Sequence, residues 1–110
     1  MGSSTFLGQF EQMVLLTLLQ LGDEAHAINI RSYLMEQAGH RVTRGALYRT
    51  LDRLESKGHV EWETEKPTPE RGGYAIRRFS VTRQGLEALR VSHGALHVLS
   101  QGLESVLRRS

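Results

Sequence analysis

The segment from Val42 to Gly58 restricts the folds open to this chain more than any other segment. Thr43 is a favourable helix N-cap, and Val42 before it can pack against Leu47 as a hydrophobic staple. Gly58 ends the predicted helix. Three leucines fall on one face of this helix, namely Leu47, Leu51 and Leu54. Because the opposite face is rich in arginine, the helix is expected to bury one side in a core and to expose the other.

Two alternating segments follow this helix and predict a β-hairpin. Residues 59–65 and 74–81 alternate between apolar and polar side chains, which is typical of half-buried strands. Residues 66–73 contain two prolines and two glycines, which predicts a loop between them. We expect four side chains to point inward: Val60, Trp62, Phe79 and Val81. For Trp62, a core position beneath the hairpin is favoured over stacking on an aromatic ligand.

Two helices are predicted ahead of this segment. Residues 5–21 are apolar on most sides of a helix, so this helix needs two surfaces to pack against, one in its own domain and one in a second subunit. Gly22 ends it, and Asp23 and Glu24 then place negative charge at the start of the second helix, where the helix dipole favours it. The second helix is expected to stop at Gly39.

A last helix is predicted from Thr82, another favourable N-cap, to Arg109. Its apolar residues recur at steps of three, four and seven, which is the spacing of a seam between two helices. With the first helix it forms the predicted dimer interface, which comprises Phe6, Phe10, Leu89, Leu96, Leu99, Leu103 and Val106. The same leucines could pack within one chain, but the two apolar faces of the first helix favour a dimer.

Composition narrows the class of protein. A chain of 110 residues, 39% of them hydrophobic, is expected to form one compact domain with an appendage. It has no cysteine, which excludes disulfides, thiolate zinc sites and cysteine nucleophiles. We find no phosphate-binding loop, nucleophile elbow or metal-ligand cluster, so we expect no enzyme, metal or cofactor. Without a secretory signal or an apolar run long enough to cross a bilayer, we expect a cytoplasmic protein with no membrane partner.

The charge is unevenly distributed, although its net value is only +2. Residues 41–83 carry ten Lys and Arg against six Asp and Glu, whereas residues 1–40 carry one Arg against four acidic residues. A basic segment of this kind is typical of a contact with a polyanion. The predicted third helix and the hairpin both lie within it.

The order of elements predicts a mainly α fold with a small β-hairpin: a winged helix-turn-helix domain at residues 5–81 and a C-terminal dimerisation helix at residues 82–109. The hairpin is the wing of this domain. In this fold the third helix enters the major groove of double-stranded DNA. The predicted DNA contacts are Thr43, Arg44, Gly45, Tyr48 and Arg49 in that helix, and Lys66, Arg71 and Arg77 in the hairpin. The alternative is that Arg77 and Arg78 pair with Glu61 and Glu63 across the strands. Arg78 is therefore not included among the predicted DNA contacts.

Several stretches of the sequence resemble the PadR family of prokaryotic transcriptional regulators. They are Leu7-Gly8-Gln9-Phe10-Glu11, Leu18 to Glu24, Gly45-Ala46-Leu47-Tyr48, Leu51-Asp52-Arg53-Leu54-Glu55 with Gly58, and Arg71-Gly72-Gly73 with Arg77, Phe79, Thr82 and Gly85. The resemblance implies a homodimer in which the C-terminal helix packs with the partner's first helix. It also implies a repressor role and, in some members, a small-molecule effector. The single short C-terminal helix resembles the smaller subgroup of the family.

The chain departs from the family pattern in two places. Tyr74 and Ile76 stand where family wings commonly continue with basic residues. The predicted wing contacts are therefore left to Lys66, Arg71 and Arg77. His26 stands where a tyrosine is frequent in the second helix.

Two functions from different classes are compatible with this sequence. The first is a homodimeric transcriptional repressor that reads an inverted-repeat operator with half-sites about one helical turn apart. The second is a winged-helix module that mediates only protein–protein assembly. The salt dependence of binding to duplex DNA distinguishes them.

Overall fold

The structure is a computed structural model and describes residues 6–66 and 75–108. Within these residues the chain forms five α-helices, a short 3-10 turn and a two-stranded antiparallel hairpin. In chain order they are α1 (Gln9–Leu21), the 3-10 turn (Gly22–Glu24), α2 (Ala27–Ala38), α3 (Arg44–Ser56), β1 (Val60–Glu65), β2 (Ile76–Val81), α4 (Arg83–Ser100) and α5 (Glu104–Arg108). The predicted fold class, mainly α with a small hairpin, is confirmed.

Local hydrogen bonds fix the helix ends where the sequence predicts them. The Thr43 hydroxyl accepts from the Ala46 N–H at 3.1 Å, and the Thr82 hydroxyl accepts from the Gly85 N–H at 3.0 Å. Each bond satisfies one of the free amides of a helix N-terminus. At the end of α2, Gly39 adopts the left-handed conformation with φ of 63°, which favours glycine. The starts of α3 and α4 and the end of α2 therefore follow from local chemistry.

One hydrophobic core joins the first four helices to the hairpin. It comprises Leu7, Val14, Leu15, Leu18, Ala25, Ile30, Leu34, Val42, Leu47, Leu51, Leu54, Val60, Phe79, Ala88 and Leu89. The predicted buried face of α3 is confirmed, because all three of its leucines lie in this core. Burying these side chains is the main source of the free energy that holds the hairpin and α4 against α1 and α3.

The hairpin is pinned to the helices along its β2 edge. Trp62 of β1 lies opposite Phe79 of β2, and the Phe79 N–H donates to the Ala25 carbonyl at 3.0 Å. Val60 and Phe79 are buried as predicted. Trp62 is 38% exposed, so the prediction of a core tryptophan is wrong. The indole instead lies beside the Arg77 guanidinium, whose carbon is 4.7 Å from the ring centre.

Three predicted boundaries differ from the structure. Helix α1 begins at Gln9, after Gly8 as its N-cap, and thus later than predicted. Asp23 and Glu24 form the 3-10 turn, and α2 begins only at Ala27. The prediction of one continuous terminal helix is also wrong, since α4 ends at Ser100 and α5 begins at Glu104.

The break between α4 and α5 has a backbone cause. Gln101 is extended, with φ of −60° and ψ of 135°, and Gly102 has φ of 83°. A positive φ is readily adopted by glycine but interrupts a right-handed helix. Leu103 consequently lies in the connection and does not continue the seam of α4. The chain thus has a helix and a short second helix where the sequence predicts one helix.

A buried ion pair fastens α1 to the C-terminal end of α3. The Glu11 carboxylate, only 9% exposed, accepts from the Lys57 ammonium at 3.0 Å and from the Gly8 N–H at 2.9 Å. Arg53 lies 3.9 Å from the same carboxylate. Burial raises the pKa of Glu11, but the Gly8 and Lys57 hydrogen bonds and the two positive charges outweigh it, so this pKa lies below its ordinary value of 4.5.

Glu11→Gln is expected to lower the free energy of unfolding by about 1 to 2 kcal/mol at neutral pH. A carboxyl whose pKa is lowered by folding stabilises the protein above its unfolded pKa, and this contribution is lost as the pH falls through the folded pKa. The difference between wild type and variant should therefore shrink as the pH falls below 4.5. Urea unfolding at fixed protein concentration over a pH series measures this difference.

Glu87→Gln is the matched control for this experiment. Its carboxylate pairs with Arg90 at 2.7 Å on the exposed side of α4. An exposed pair of this kind should change stability by no more than about 0.5 kcal/mol. If the free energy of unfolding of wild type and of Glu11→Gln differs by the same amount down to strongly acid pH, an ionic role for Glu11 is contradicted.

Candidate nucleic-acid interface

The N-terminal half of α3 presents a polar surface to solvent. Thr43, Arg44, Gly45 and Arg49 are exposed, while the leucines of the same helix face the core. The structure therefore brings together these four residues, as the sequence predicts. Tyr48 beside them is half-buried. This end of the helix offers guanidinium donors and the positive end of the helix dipole on one surface.

Among the described residues, no neighbour packs closely against Gly45. Its φ is not positive, and an added Cβ would meet only the end of the Arg49 side chain, at an ordinary contact distance of 3.7 Å. Neither backbone conformation nor crowding among the described residues requires a glycine at this position. The missing side chain instead leaves the surface of α3 low and open to a close partner.

The hairpin approaches this surface through aromatic and arginine side chains. The Tyr48 ring packs edge-on against Phe79, with centroids 6.4 Å apart. The Arg44 guanidinium lies 5.9 Å from the centre of the Tyr48 ring, and that of Arg77 lies 5.3 Å from it. Both distances are within the range of cation–π attraction. Tyr48 of α3 thus packs against the hairpin.

An open cleft of about 990 Å³ separates the start of α2, the start of α3 and the hairpin. Three arginines line it together with apolar and other polar side chains, and the full lining comprises Glu24, His26, Ala27, Ile28, Asn29, Arg31, Arg44, Tyr48, Thr64, Ala75, Ile76 and Arg77. Arg31 was not predicted; its Nε donates to the Val42 carbonyl at 3.1 Å and supports the turn between α2 and α3. No local motif in the sequence marks it.

Two acidic residues of the hairpin, Glu63 and Glu65, lie beside Arg78. The Arg78 guanidinium bonds to Glu63, and it lies 3.4 Å from Glu65 and 3.7 Å from Asp23. The predicted cross-strand pair of Glu63 and Arg78 is therefore confirmed, whereas Arg77 lies opposite Thr64. These ion pairs lie on one face of the hairpin, and Arg77 lies on the other.

The remaining predicted contacts lie at the wing. Lys66 follows β1 and is exposed, whereas Arg71 falls outside the described residues. His26, the departure in the second helix, is the N-cap of α2, and its Nε2 lies 3.1 Å from a Glu65 carboxylate oxygen. His26 therefore ties α2 to the end of β1.

The predicted dimer residues divide into two groups. Leu96, Leu99 and Val106 are 57%, 75% and 63% exposed, and Phe6 and Leu103 are exposed as well. Leu89, by contrast, is only 4% exposed and packs in the core of its own chain, and Phe10 packs on that core with its ring 5.2 Å from the His40 ring. The apolar surface open to a second molecule thus lies at the C-terminal end of α4 and on α5.

Two further properties concern the part of the chain that the structure describes. No helix there combines the length and the hydropathy needed to cross a bilayer. Nor do three or more His, Asp or Glu side chains come together there as a metal site.

The helix order, the hairpin and the exposed end of α3 define a winged helix-turn-helix protein. The sequence profile of the transcriptional regulator PadR-like family matches residues 15–91. This chain belongs to that family, whose members are DNA-binding transcriptional regulators and not enzymes.

Solved structures of the family have the same fold. A PadR-like transcription factor from Bacteroides fragilis superposes with a TM-score of 0.70 at 25% identity, covering 90% of both chains. A PadR family regulator from Eggerthella lenta superposes with a TM-score of 0.66 at 28% identity, covering 90% of this chain and 84% of that one. A PadR-like regulator from Bacillus cereus, at 18% identity, has a TM-score of 0.68 and coverage of 92% and 93%. Comparison with curated proteins yields no match.

Proposed function

We propose that this protein is a homodimeric repressor that binds an inverted-repeat operator through the N-terminal half of α3. The observation that carries the proposal is that exposed Arg44 and Arg49 flank a glycine that no contact among residues 6–66 and 75–108 requires. The major groove is about 12 Å wide and admits a helix whose outward side is polar and low. Arginine is the side chain that most often reads guanine, through two parallel hydrogen bonds.

The other predicted contacts complete this interface. Thr43 caps α3 and lies at the end where free amides suit a phosphate. Tyr48 directs its ring into the cleft beside Arg44. Lys66 and Arg71 are proposed contacts of the wing with the flanking backbone. For Arg77, which the sequence also predicts as a DNA contact, we propose a contribution through its neighbours.

The proposed partner at the C-terminal end is a second copy of this chain. Exposed apolar side chains continue from α4 to α5, and α1 adds Leu16 and Leu19 on its outer face. Exposed apolar side chains in such number are characteristic of an interface. The family resemblance implies the same pairing, between the C-terminal helix and the partner's first helix. It also implies a small-molecule effector in some members, for which we propose no site. The site of action would be the cytoplasm, where the operator is.

The affinity for a duplex is expected to fall steeply with salt. Each phosphate that is neutralised contributes a slope of about −0.9 to log K against log salt, so several contacts give a slope of several units. Fluorescence anisotropy with a labelled operator, obtained by selection from random fragments, measures this slope. The selected motif should have two-fold symmetry with half-sites about one helical turn apart.

Two results would contradict the proposal separately. A flat salt dependence would favour the assembly module, because protein partners do not release the counterions that condense on DNA. A selected motif without two-fold symmetry would support DNA binding but contradict the homodimer.

A further inference from the structure

Arg77 is surrounded by aromatic rings from three elements. Its guanidinium carbon lies 4.7 Å from the centre of the Trp62 ring on β1, 5.3 Å from that of Tyr48 on α3 and 5.8 Å from that of Phe79 on its own strand. All three distances are within the range in which the ring quadrupole attracts a cation. Helix α3, which shares no backbone hydrogen bond with the strands of the hairpin among the described residues, therefore meets both strands at this side chain.

The alternation of a β-strand explains why Arg77 and not Arg78 occupies this place. Successive side chains of a strand point to opposite faces, so Arg77 shares a face with Phe79, and Arg78 faces the other way. On its face Arg78 meets three carboxylates, those of Asp23, Glu63 and Glu65. Among residues 6–66 and 75–108, the contacts of Arg77 are with rings.

The guanidinium shape suits this position better than an ammonium would. It is planar, stacks on aromatic faces and is weakly hydrated, whereas the ammonium of lysine is a compact and strongly hydrated charge. Replacing Arg77 by lysine would keep the positive charge but lose the stacked plane. The two kinds of contribution, charge and shape, can thus be separated by one substitution.

We propose that Arg77 is a positioning residue, which holds the wing and the Tyr48 ring in a fixed relation to α3 so that the duplex meets a preformed surface. It acts through Tyr48 and Trp62. Because these side chains are already ordered in the free protein, less conformational entropy is lost when the duplex binds, and the affinity is higher. This inference rests on the proposed function, since DNA is the ligand for which the surface is preformed. It assigns Trp62, the single tryptophan of the chain, to the support of that surface.

Arg77→Lys should weaken operator binding by about tenfold, nearly as much as Arg77→Ala, and should leave the salt slope unchanged. The opposite pattern would show a direct phosphate contact: Arg77→Lys would bind like wild type, and Arg77→Ala would reduce the slope by about 1. Arg78→Lys is the matched control, because the same substitution one residue later keeps the ion pairs of the outer face. It should leave affinity and slope unchanged.

A second measurement tests the inference in the free protein. Trp62 fluorescence reports on this site alone, since the chain has no other tryptophan. Arg77→Lys should increase the quenching of Trp62 by acrylamide without DNA, whereas Arg78→Lys should not. Circular dichroism confirms that both variants are folded. Equal quenching in wild type and Arg77→Lys would overturn the positioning role.

The two experiments also separate this inference from the proposed function. If wild-type protein binds no duplex, the proposed function fails, and the quenching experiment still decides whether Arg77 orders the wing. If wild type binds and Arg77→Lys matches it in affinity, only the inference about Arg77 is overturned.

Discussion

Replacing both Arg44 and Arg49 by alanine should reduce affinity for the operator by at least about 30-fold. Loss of an arginine that reads guanine costs about 1 to 3 kcal/mol, and every 1.4 kcal/mol is a tenfold change in the dissociation constant. Both side chains are exposed, so the substitutions remove few contacts within the protein. The variant should therefore unfold at nearly the same temperature as wild type. Fluorescence anisotropy at one fixed salt concentration gives the affinity.

Arg90→Ala provides the control for this loss of charge. Arg90 is exposed on α4 and pairs with Glu87, so its removal changes the net charge without touching α3. It should change operator affinity far less than either single substitution in α3. If Arg44→Ala and Arg49→Ala both bind as tightly as wild type, α3 does not contact the duplex and the proposed interface is wrong.

Gly85→Ala should destabilise the fold by about 3 kcal/mol, the opposite of the usual effect of this substitution in a helix. A Cβ at this position would lie 2.1 Å from the His59 carbonyl oxygen and 2.9 Å from its carbon. That carbonyl is held in place, because it accepts from the Thr82 N–H at 3.0 Å. The Thr82 hydroxyl also donates to the Gly58 carbonyl at 2.6 Å. Helix α4 would have to move away from the root of β1.

Gly94→Ala is the matched substitution in the same helix. An added Cβ at Gly94 meets no atom within 4 Å of its position. There the ordinary preference of helices for alanine should prevail and raise stability by about 0.5 to 1 kcal/mol. Urea unfolding of the two variants at equal protein concentration measures both effects. Equal stability of Gly85→Ala and wild type would show that α4 does not press on the His59 carbonyl.

The parts of the fold that depend on neighbouring residues could be predicted from sequence. Thr43 and Thr82 cap their helices because the hydroxyl reaches an amide three residues later, and this needs no tertiary information. The buried side of α3 follows in the same way from the spacing of its leucines. The exposed arginines opposite them could therefore be placed as well.

Features that depend on distant residues could not be predicted. Alternation puts Trp62 on the inner face of the hairpin, but whether anything covers it depends on how far α3 and α4 extend. The break at Gly102 is local, but the leucine spacing continues across it and therefore predicts one helix, although one glycine with φ of 83° is enough to end a helix. The buried carboxylate of Glu11 meets Lys57, 46 residues away, only once α1 packs on α3.

Gly45 also has a consequence for how this protein can be improved or can evolve. Helices containing glycine are weaker than those containing alanine by up to about 1 kcal/mol, and no contact among the described residues opposes the larger side chain. A laboratory screen that rewards heat resistance alone would therefore select substitutions here. At the interface proposed above, such variants would be more stable but would fit the groove less closely, so selection for stability and selection for regulation favour different residues at this position.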